Sequence, residues 1–214
     1  MAFKGWPGTA VVFYEGLEAD NSKAYWLDHK EIYERDVKAP MEALLAELTS
    51  EFGAPKLFRP YRDTRFSRDK SPYKTAIAAT VGPGYVQLSA DGLFAGGGMY
   101  HMLPDQLARF RQAAASDRSG KDLEKVVAAV TRSGLDVHAS GELKTAPKGY
   151  PKDHPRIELL RMQGLVASRA WEPGPWLSTA TAKKRVVDTL RAAKPLFAWL
   201  EANVGPSTES EAAR

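Results

Sequence analysis

The chain has 214 residues, of which 43% are hydrophobic, 10% aromatic and 26% charged, a composition typical of globular proteins. It contains no cysteine, which excludes disulfides, thiolate metal sites, cysteine nucleophiles and iron–sulfur clusters. The formal net charge is +4. The first apolar run, Ala10 to Tyr14, is too short for a signal peptide or a membrane span, so we expect a cytoplasmic protein that does not enter a membrane.

The opening third of the chain predicts helices. Asp20-Asn21-Ser22 forms an N-cap cluster, after which aromatic and apolar side chains recur at helical spacing. A second apolar stripe extends from Val37 to Phe52, and Gly53 and Pro55 end it. We therefore expect two helices before the pattern changes.

A run of short strands punctuated by glycine follows the helices. Alternating apolar residues predict strands over 75–81, 85–90 and 93–99, and Asp91-Gly92 between the last two is a strong signal for a two-residue hairpin. The third strand holds Gly96, Gly97 and Gly98. Three glycines in a strand predict a bulge, or the close approach of a ligand or of another backbone.

Helical patterns return from Pro104 and again around 123–130. Strands are predicted over 136–145 and 165–171, with a helix start between them at Asp153-His154-Pro155. A final helix is predicted over 182–203, and Pro195 inside it should bend or interrupt it.

These elements predict an α+β fold, because helices are grouped at both ends of the sequence around a central antiparallel β-meander. No linker rich in Gly, Ser or Pro divides the chain, so we expect one domain over 1–204. Residues 205–214 form a polar tail without core residues, which we expect to be disordered.

The most distinctive stretch of the sequence is FRPYRDTRFSRDKSPYKT, residues 58–75, called the basic segment below. Its cations are Arg59, Arg62, Arg65, Arg68, Lys70 and Lys74, and its carboxylates are Asp63 and Asp69. The net charge of +4 on this segment equals that of the whole chain, so the remaining residues are balanced. Pro60 and Pro72 favour a structured loop over a long helix.

The basic segment predicts an anion-binding site. Arginine carries planar donors that match phosphate and carboxylate, and two aspartates cannot compensate six cations. We expect a phosphorylated or polycarboxylate small molecule as the ligand, with the three glycines as supporting residues. A structural alternative is that Asp63 and Asp69 pair internally with the arginines, which in turn bind carbonyl groups.

Two other partners fit the same residues. Phe58, Tyr61, Phe66 and Tyr73 alternate with the cations, a composition suited to base stacking and phosphate contacts in single-stranded nucleic acid. An acidic protein partner would also be attracted by the clustered charge.

A second group of candidate anion ligands consists of Lys148, His154 and Arg156, close to the predicted helix start. A helix N-terminus favours negative charge, so these cations could complete an anion site. The alternative is an ordinary capped helix with solvated cations at its flank.

Catalytic and metal-binding patterns are weak. None of the four histidines stands in a metal-ligand pair such as HxH or HExxH. Mg²⁺ held by Asp63 or Asp69 together with a substrate phosphate is a weak hypothesis. His101, just beyond the three glycines, could act as a general base, but the reaction, the catalytic residues, and whether the protein is an enzyme stay open.

Three stretches of the chain together resemble a known family. They are FRPYRDTRFSRDKSPYKT, YVQLSADGLFAGGGMY and APKGYPKDHPRIELLR, and they resemble a conserved-hypothetical group of bacteria and fungi catalogued as domain of unknown function "twenty-four sixty-one". The likeness covers nearly the whole chain, from DNSKAYWLDHKEIYERDVKAP at 20–40 to the C-terminal helix. It implies a family without an established activity. The first helix of that family usually reads NNNREWF, so Lys23 and Tyr25 of this chain depart from the pattern.

Overall fold

The computed structural model describes residues 2–65 and 68–209. Its strands are β1 (Pro55–Leu57), β2 (Ala76–Val81), β3 (Gly84–Ser89), β4 (Gly92–Met99), β5 (Asp136–His138) and β6 (Leu165–Trp171). They form one antiparallel sheet in the order β1-β2-β3-β4-β6-β5. The consecutive neighbours β2, β3 and β4 make up the meander that the sequence predicts, and β1 is a strand that it does not predict.

Helices precede, interrupt and follow the sheet strands. They are α1 (Gly8–Ala19), α2 (Lys23–Ile32), α3 (Ala39–Phe52), α4 (Pro104–Ala115), α5 (Asp117–Arg132), α6 (Ile157–Arg161) and α7 (Thr181–Asn203). A π-helical stretch, Tyr33–Lys38, connects α2 to α3, and a 3₁₀ turn, Pro175–Ser178, precedes α7. The predicted α+β class is confirmed.

The meander follows the alternation of its side chains. In β2 the buried residues are every second one, Ile77, Ala79 and Val81, because successive side chains of a strand point to opposite faces. Ile77 pairs with Leu88 and Ala79 with Val86 in the register between β2 and β3. The basic segment, residues 58–75, connects β1 to β2, so the pairing of these two strands holds the two ends of the segment close together.

The chain divides into two compact units, and the first comprises Met1–Ala95 and Ala170–Asp188. Its helical part packs around aromatic side chains: the Phe13 ring lies 5.9 Å from the Trp26 ring and 5.7 Å from the Tyr33 ring, centroid to centroid. All three side chains are buried. The helix α3 packs against β1 and β2, so the helices and the start of the sheet share this core.

The second unit comprises Gly96–Arg169 and Thr189–Arg214. Its core includes Phe110 and Leu123 from α4 and α5, Leu160 from α6, and Trp199 from α7. The Trp199 ring stands edge-on to Phe110 at 6.1 Å, and its indole Nε1 donates to the carbonyl oxygen of Ser119 at 3.0 Å. This polar contact satisfies the one hydrogen-bond donor of a buried tryptophan.

The second half of the chain departs from the sequence pattern in three places. The strand expected over 136–145 ends at His138, and α6 begins at Ile157, two residues after Pro155. The helix α7 continues through Pro195 without interruption. Proline and glycine patterns predict the ends of helices and strands only approximately, because packing against the rest of the unit decides where a short element begins and ends.

The polar tail is partly described. Residues 210–214 lie outside the described residues, whereas 205–209 make hydrogen bonds to α4. The Arg109 guanidinium donates to the carbonyl oxygens of Val204 and Pro206, and the Ser207 hydroxyl donates to Asp105 at 2.6 Å. Across the described residues, no helix combines the length and the apolar character that a membrane crossing requires.

Candidate functional site

The basic segment folds as a hairpin-like loop in the first unit. Tyr61 and Tyr73 form an antiparallel bridge, and backbone hydrogen bonds join Arg62 N to Pro72 O at 2.9 Å and Lys74 N to Pro60 O at 2.8 Å. The predicted structured loop is therefore present. Phe66, predicted as one of the alternating aromatics, lies outside the described residues, as does Ser67.

The base of this loop is fixed on α2. The Trp26 and Tyr73 rings stack at 4.3 Å with 8° between their planes. The Asn21 side chain both accepts a hydrogen bond from Tyr73 N at 3.0 Å and donates one to Tyr73 O at 3.1 Å. A paired amide and a stacked ring pair together hold the segment in one place relative to the helix.

Sequence reasoning missed the roles of these two anchors. Asn21 was assigned to an N-cap cluster, but Ser22 is the N-cap of α2 and accepts from Tyr25 N at 3.1 Å. Trp26 was assigned only to an apolar helix face. Asn21 and Trp26 lie about fifty residues before Tyr73 in the chain, and no spacing rule relates them to the basic segment.

Two of the six cations form ion pairs with the two carboxylates. Arg65 donates to both oxygens of Asp63, from Nε at 3.0 Å and from Nη2 at 2.7 Å, and Arg62 pairs with Asp69. The Arg65 hydrogen bonds are the main reason that the pKa of Asp63 falls from 3.8 to about 2. The pKa of Asp69 is also lowered, chiefly by hydrogen bonds from Ser71 and then by Arg62. This is the internal pairing that the sequence left open.

Among the described residues, the other four cations have no carboxylate partner. Within the described residues, no carboxylate oxygen lies within 4.0 Å of the charged groups of Arg59, Arg68, Lys70 or Lys74. Lys70 donates to the carbonyl oxygen of Thr64 at 2.9 Å, and the Lys74 ammonium lies 5.5 Å from the centre of the Phe58 ring. Both contacts leave the positive charge uncancelled.

Much of the basic segment is exposed to solvent. Arg59, Arg65, Arg68 and Lys70 are all exposed, and half of the Tyr61 surface is accessible to solvent. Each unit has a groove of about 310–330 Å³ among its described residues. Their lining residues include none from the basic segment.

The three glycines and His101 belong to the second unit. A Cβ on Gly96 would lie 2.5 Å from the carbonyl oxygen of Ala167, and one on Gly98 would lie 2.4 Å from that of Leu165. Gly98 also has a φ of +132°, which side-chain-bearing residues rarely adopt. Of the explanations open from the sequence, the approach of another backbone, strand β6, accounts for Gly96 and Gly98.

The second group of candidate ligands also lies in the second unit, where Arg156 is the best-defined member. Only 4% of its side chain is exposed. It donates from Nε to Ala114 O at 2.7 Å, and from Nη2 to Ala115 O at 2.8 Å and Ser116 O at 3.2 Å. These carbonyl groups lie at the C-terminal end of α4, where the helix dipole is negative. The guanidinium therefore caps the C-terminus of that helix.

The other two members of that group are arranged separately. His154 accepts a hydrogen bond at Nδ1 from the Arg156 backbone N at 3.0 Å, which is a local capping contact ahead of α6. Lys148 is exposed. The structure therefore places Arg156 inside the fold and leaves Lys148 at the surface.

Two observations concern the carboxylates and histidines as metal ligands. Among the described residues, no group of three or more His, Asp or Glu side chains is arranged to hold a metal ion. Asp63 and Asp69, the two carboxylates considered for Mg²⁺, are both engaged by arginine.

The fold and this site define an α+β protein with a helix-anchored cationic loop. The chain matches the family model described as a conserved hypothetical protein, DUF2461, over residues 9–199. It therefore belongs to that family, as the sequence resemblance indicates. No curated protein matches the chain significantly.

A solved structure was also found to be similar. It is the crystal structure of an uncharacterized protein from Methanothermobacter thermautotrophicus, with 15% sequence identity, 78% of this chain and 99% of that chain covered, and a TM-score of 0.42. A likeness at this level carries no argument about function.

Proposed function

We propose that this protein binds a phosphorylated or other anionic ligand through the exposed cations of the basic segment. One observation carries the proposal. Asp63 and Asp69 already form ion pairs with Arg65 and Arg62, so four further cations on the same loop have no carboxylate partner among the described residues. Clustered like charges repel, and a bound anion relieves that repulsion.

The anchoring of the segment supports the same proposal. The base of the loop is held by the stacked Trp26–Tyr73 pair and by two hydrogen bonds between Asn21 and Tyr73, one donated and one accepted by the Asn21 side chain. Fixing the loop before binding reduces the conformational entropy that a ligand must otherwise overcome. Arginine adds selectivity for phosphate, because its planar donors match two phosphate oxygens at once.

The paired and unpaired cations suggest which residues to change. Replacing Arg62 or Arg65 would disturb an ion pair as well as any ligand contact, whereas Arg59 and Arg68 lack such pairs. The variant Arg59→Ala/Arg68→Ala therefore removes ligand contacts with the least disturbance to the loop. Arg118→Ala/Arg132→Ala removes two exposed arginine charges from α5 that form no ion pair among the described residues, and it is the matched control.

Calorimetric titration with inorganic tripolyphosphate, and separately with citrate, tests the proposal. We expect the Arg59→Ala/Arg68→Ala variant to bind tripolyphosphate about tenfold more weakly than the wild type, because two exposed charge contacts contribute together about 1–2 kcal/mol. The control variant should bind as the wild type does. Equal binding by both variants, or no binding of either anion at low salt, would refute the proposal.

A further inference from the structure

Tyr61 is an exposed aromatic ring set among the cations of the basic segment. Half of its surface is accessible, while the ring lies 5.5 Å from Tyr73 and 6.1 Å from Trp26. The ring is thus held by the stacked pair below it and still presents surface to the solvent. A compact anion such as phosphate or citrate has no planar face that would use such a ring.

The residues around Tyr61 alternate between the two sides of the loop strand. Arg59, Tyr61, Asp63 and Arg65 are exposed, and the residues between them are partly buried. Residues two apart on an extended chain lie on one side, about 7 Å from each other. Arg59 is therefore the cation next to Tyr61 on the exposed side, since Asp63 and Arg65 pair with each other.

The helix beneath the loop carries two lysines on the same face as Trp26. Lys23 and Lys30 lie three residues before and four residues after Trp26, so all three share one face of α2. Both lysines are exposed. Trp26 stacks against Tyr73 at the base of the loop. Lys23 and Lys30 therefore lie on either side of the stacked Trp26–Tyr73 pair along the helix.

We infer that the ligand of the basic segment is single-stranded nucleic acid, with a base stacked on Tyr61 and its phosphates bound by Arg59 and the neighbouring cations. The inference rests on the proposed function and narrows its ligand class. Proteins that bind single strands combine a cationic surface with aromatic rings, because every base offers a flat face. A duplex keeps its base faces inside the helix, so Tyr61 cannot stack on them.

The experiment compares three tyrosine variants. Tyr61→Leu removes the aromatic ring but keeps an apolar side chain, Tyr61→Phe keeps the ring, and Tyr100→Leu alters another exposed tyrosine, 69% accessible and outside the basic segment. The probes are fluorescein-labelled (dT)12 and (rU)12, the dT12·dA12 duplex, inorganic tripolyphosphate and a poly-glutamate peptide. Affinities are measured by fluorescence anisotropy for the labelled probes and by calorimetry for the rest.

We expect Tyr61→Leu to weaken (dT)12 or (rU)12 binding about tenfold, the effect of losing one base–aromatic stack. Tyr61→Phe and Tyr100→Leu should bind as the wild type does, and tripolyphosphate and duplex binding should not depend on Tyr61. The difference in affinity between (dT)12 and (rU)12 then shows whether the protein prefers DNA or RNA. Crosslinking of a 5-bromouracil oligonucleotide to the wild type, located by mass spectrometry, should fall on Tyr61 and does not depend on any variant folding.

Several results would overturn the inference. An unchanged single-strand affinity in Tyr61→Leu, tighter binding of poly-glutamate than of (dT)12, or a crosslink outside 58–75 would each do so. If tripolyphosphate binding still required Arg59 and Arg68, the proposed anion site would stand while the nucleic-acid ligand would fall. If neither tripolyphosphate nor oligonucleotide bound, both would fall.

Discussion

The basic segment and the Arg156 site use the same side chain in opposite ways. In the basic segment Arg59, Arg65 and Arg68 are exposed and Arg62 is partly buried, and each either pairs with a carboxylate or has no carboxylate partner among the described residues. Arg156 is 4% exposed and is held by three carbonyl oxygens at the end of α4. Its contacts to Asp117 and Glu124 are longer, at 3.6 and 3.9 Å.

The difference shows that the environment of an arginine decides what the residue contributes. Burial with satisfied hydrogen bonds makes Arg156 part of the fold, because a buried charge without partners would be very costly. Exposure leaves the charges of the basic segment available to a ligand and makes them worth little to stability. Mutations in the two regions should therefore separate stability from binding.

The largest effect is expected at Arg156. Arg156→Ala should lower the free energy of unfolding by about 3 kcal/mol, because the carbonyl oxygens of Ala114 and its neighbours lose a charged donor. Arg156→Lys should lose roughly half as much, since one ammonium cannot reproduce the planar fork. Urea unfolding measures both.

The neighbouring exposed residue Arg118 supplies the control. Arg118→Ala should change the free energy of unfolding by less than about 0.5 kcal/mol. Tripolyphosphate binding should be retained by folded Arg156→Lys, since this arginine belongs to the fold. A stable Arg156→Ala variant that had lost anion binding would contradict the comparison.

An intermediate effect is expected at the anchor of the basic segment. Asn21→Ala removes the two hydrogen bonds to Tyr73 and should lower the free energy of unfolding by about 1–2 kcal/mol. Release of the loop base should also loosen the backbone of the segment and so make it a better substrate for trypsin, which cleaves after Arg and Lys. We expect faster cleavage within 58–75, measured by mass spectrometry of timed digests.

A control separates this anchor from the helix cap beside it. Ser22→Ala removes the N-cap contact to Tyr25 N and should cost about 1 kcal/mol without hastening cleavage in the segment. If both variants were cleaved at the same rate, Asn21 would act through the helix rather than through the loop.

The sequence predicted the meander and the basic segment because both depend on local signals. Alternation of apolar residues marks β2 and β3, the Asp91-Gly92 pair marks the next hairpin, and the charge count marks residues 58–75. The α+β class follows from the order of these patterns.

The contacts that separate the two arginine regions could not be predicted from the sequence. Arg156 meets carbonyls about forty residues earlier, and Asn21 meets Tyr73 fifty-two residues later. One sign was available for Arg156: Gly120 lies inside α5, where glycine is unfavourable. A Cβ there would lie 2.2 Å from Ala114 O and 2.5 Å from Arg156 Nε, so the glycine makes room for both partners of that hydrogen bond.

The smallest effect is expected at the exposed Asp63–Arg65 pair. The pKa of Asp63, about 2 in the folded protein, lies below its ordinary value of 3.8, so the pair stabilises the fold above that ordinary value and ceases to do so as the pH falls towards 2. In Arg65→Ala the pKa of Asp63 should rise towards 3.8, because the main cause of its shift is removed. NMR titration of the Asp63 carboxyl carbon measures the rise, with Asp122, also exposed and paired with Lys125, as the internal control. An unchanged Asp63 pKa would show that the Arg65 backbone N–H and the Arg59 charge, rather than the Arg65 side chain, hold the carboxylate ionised.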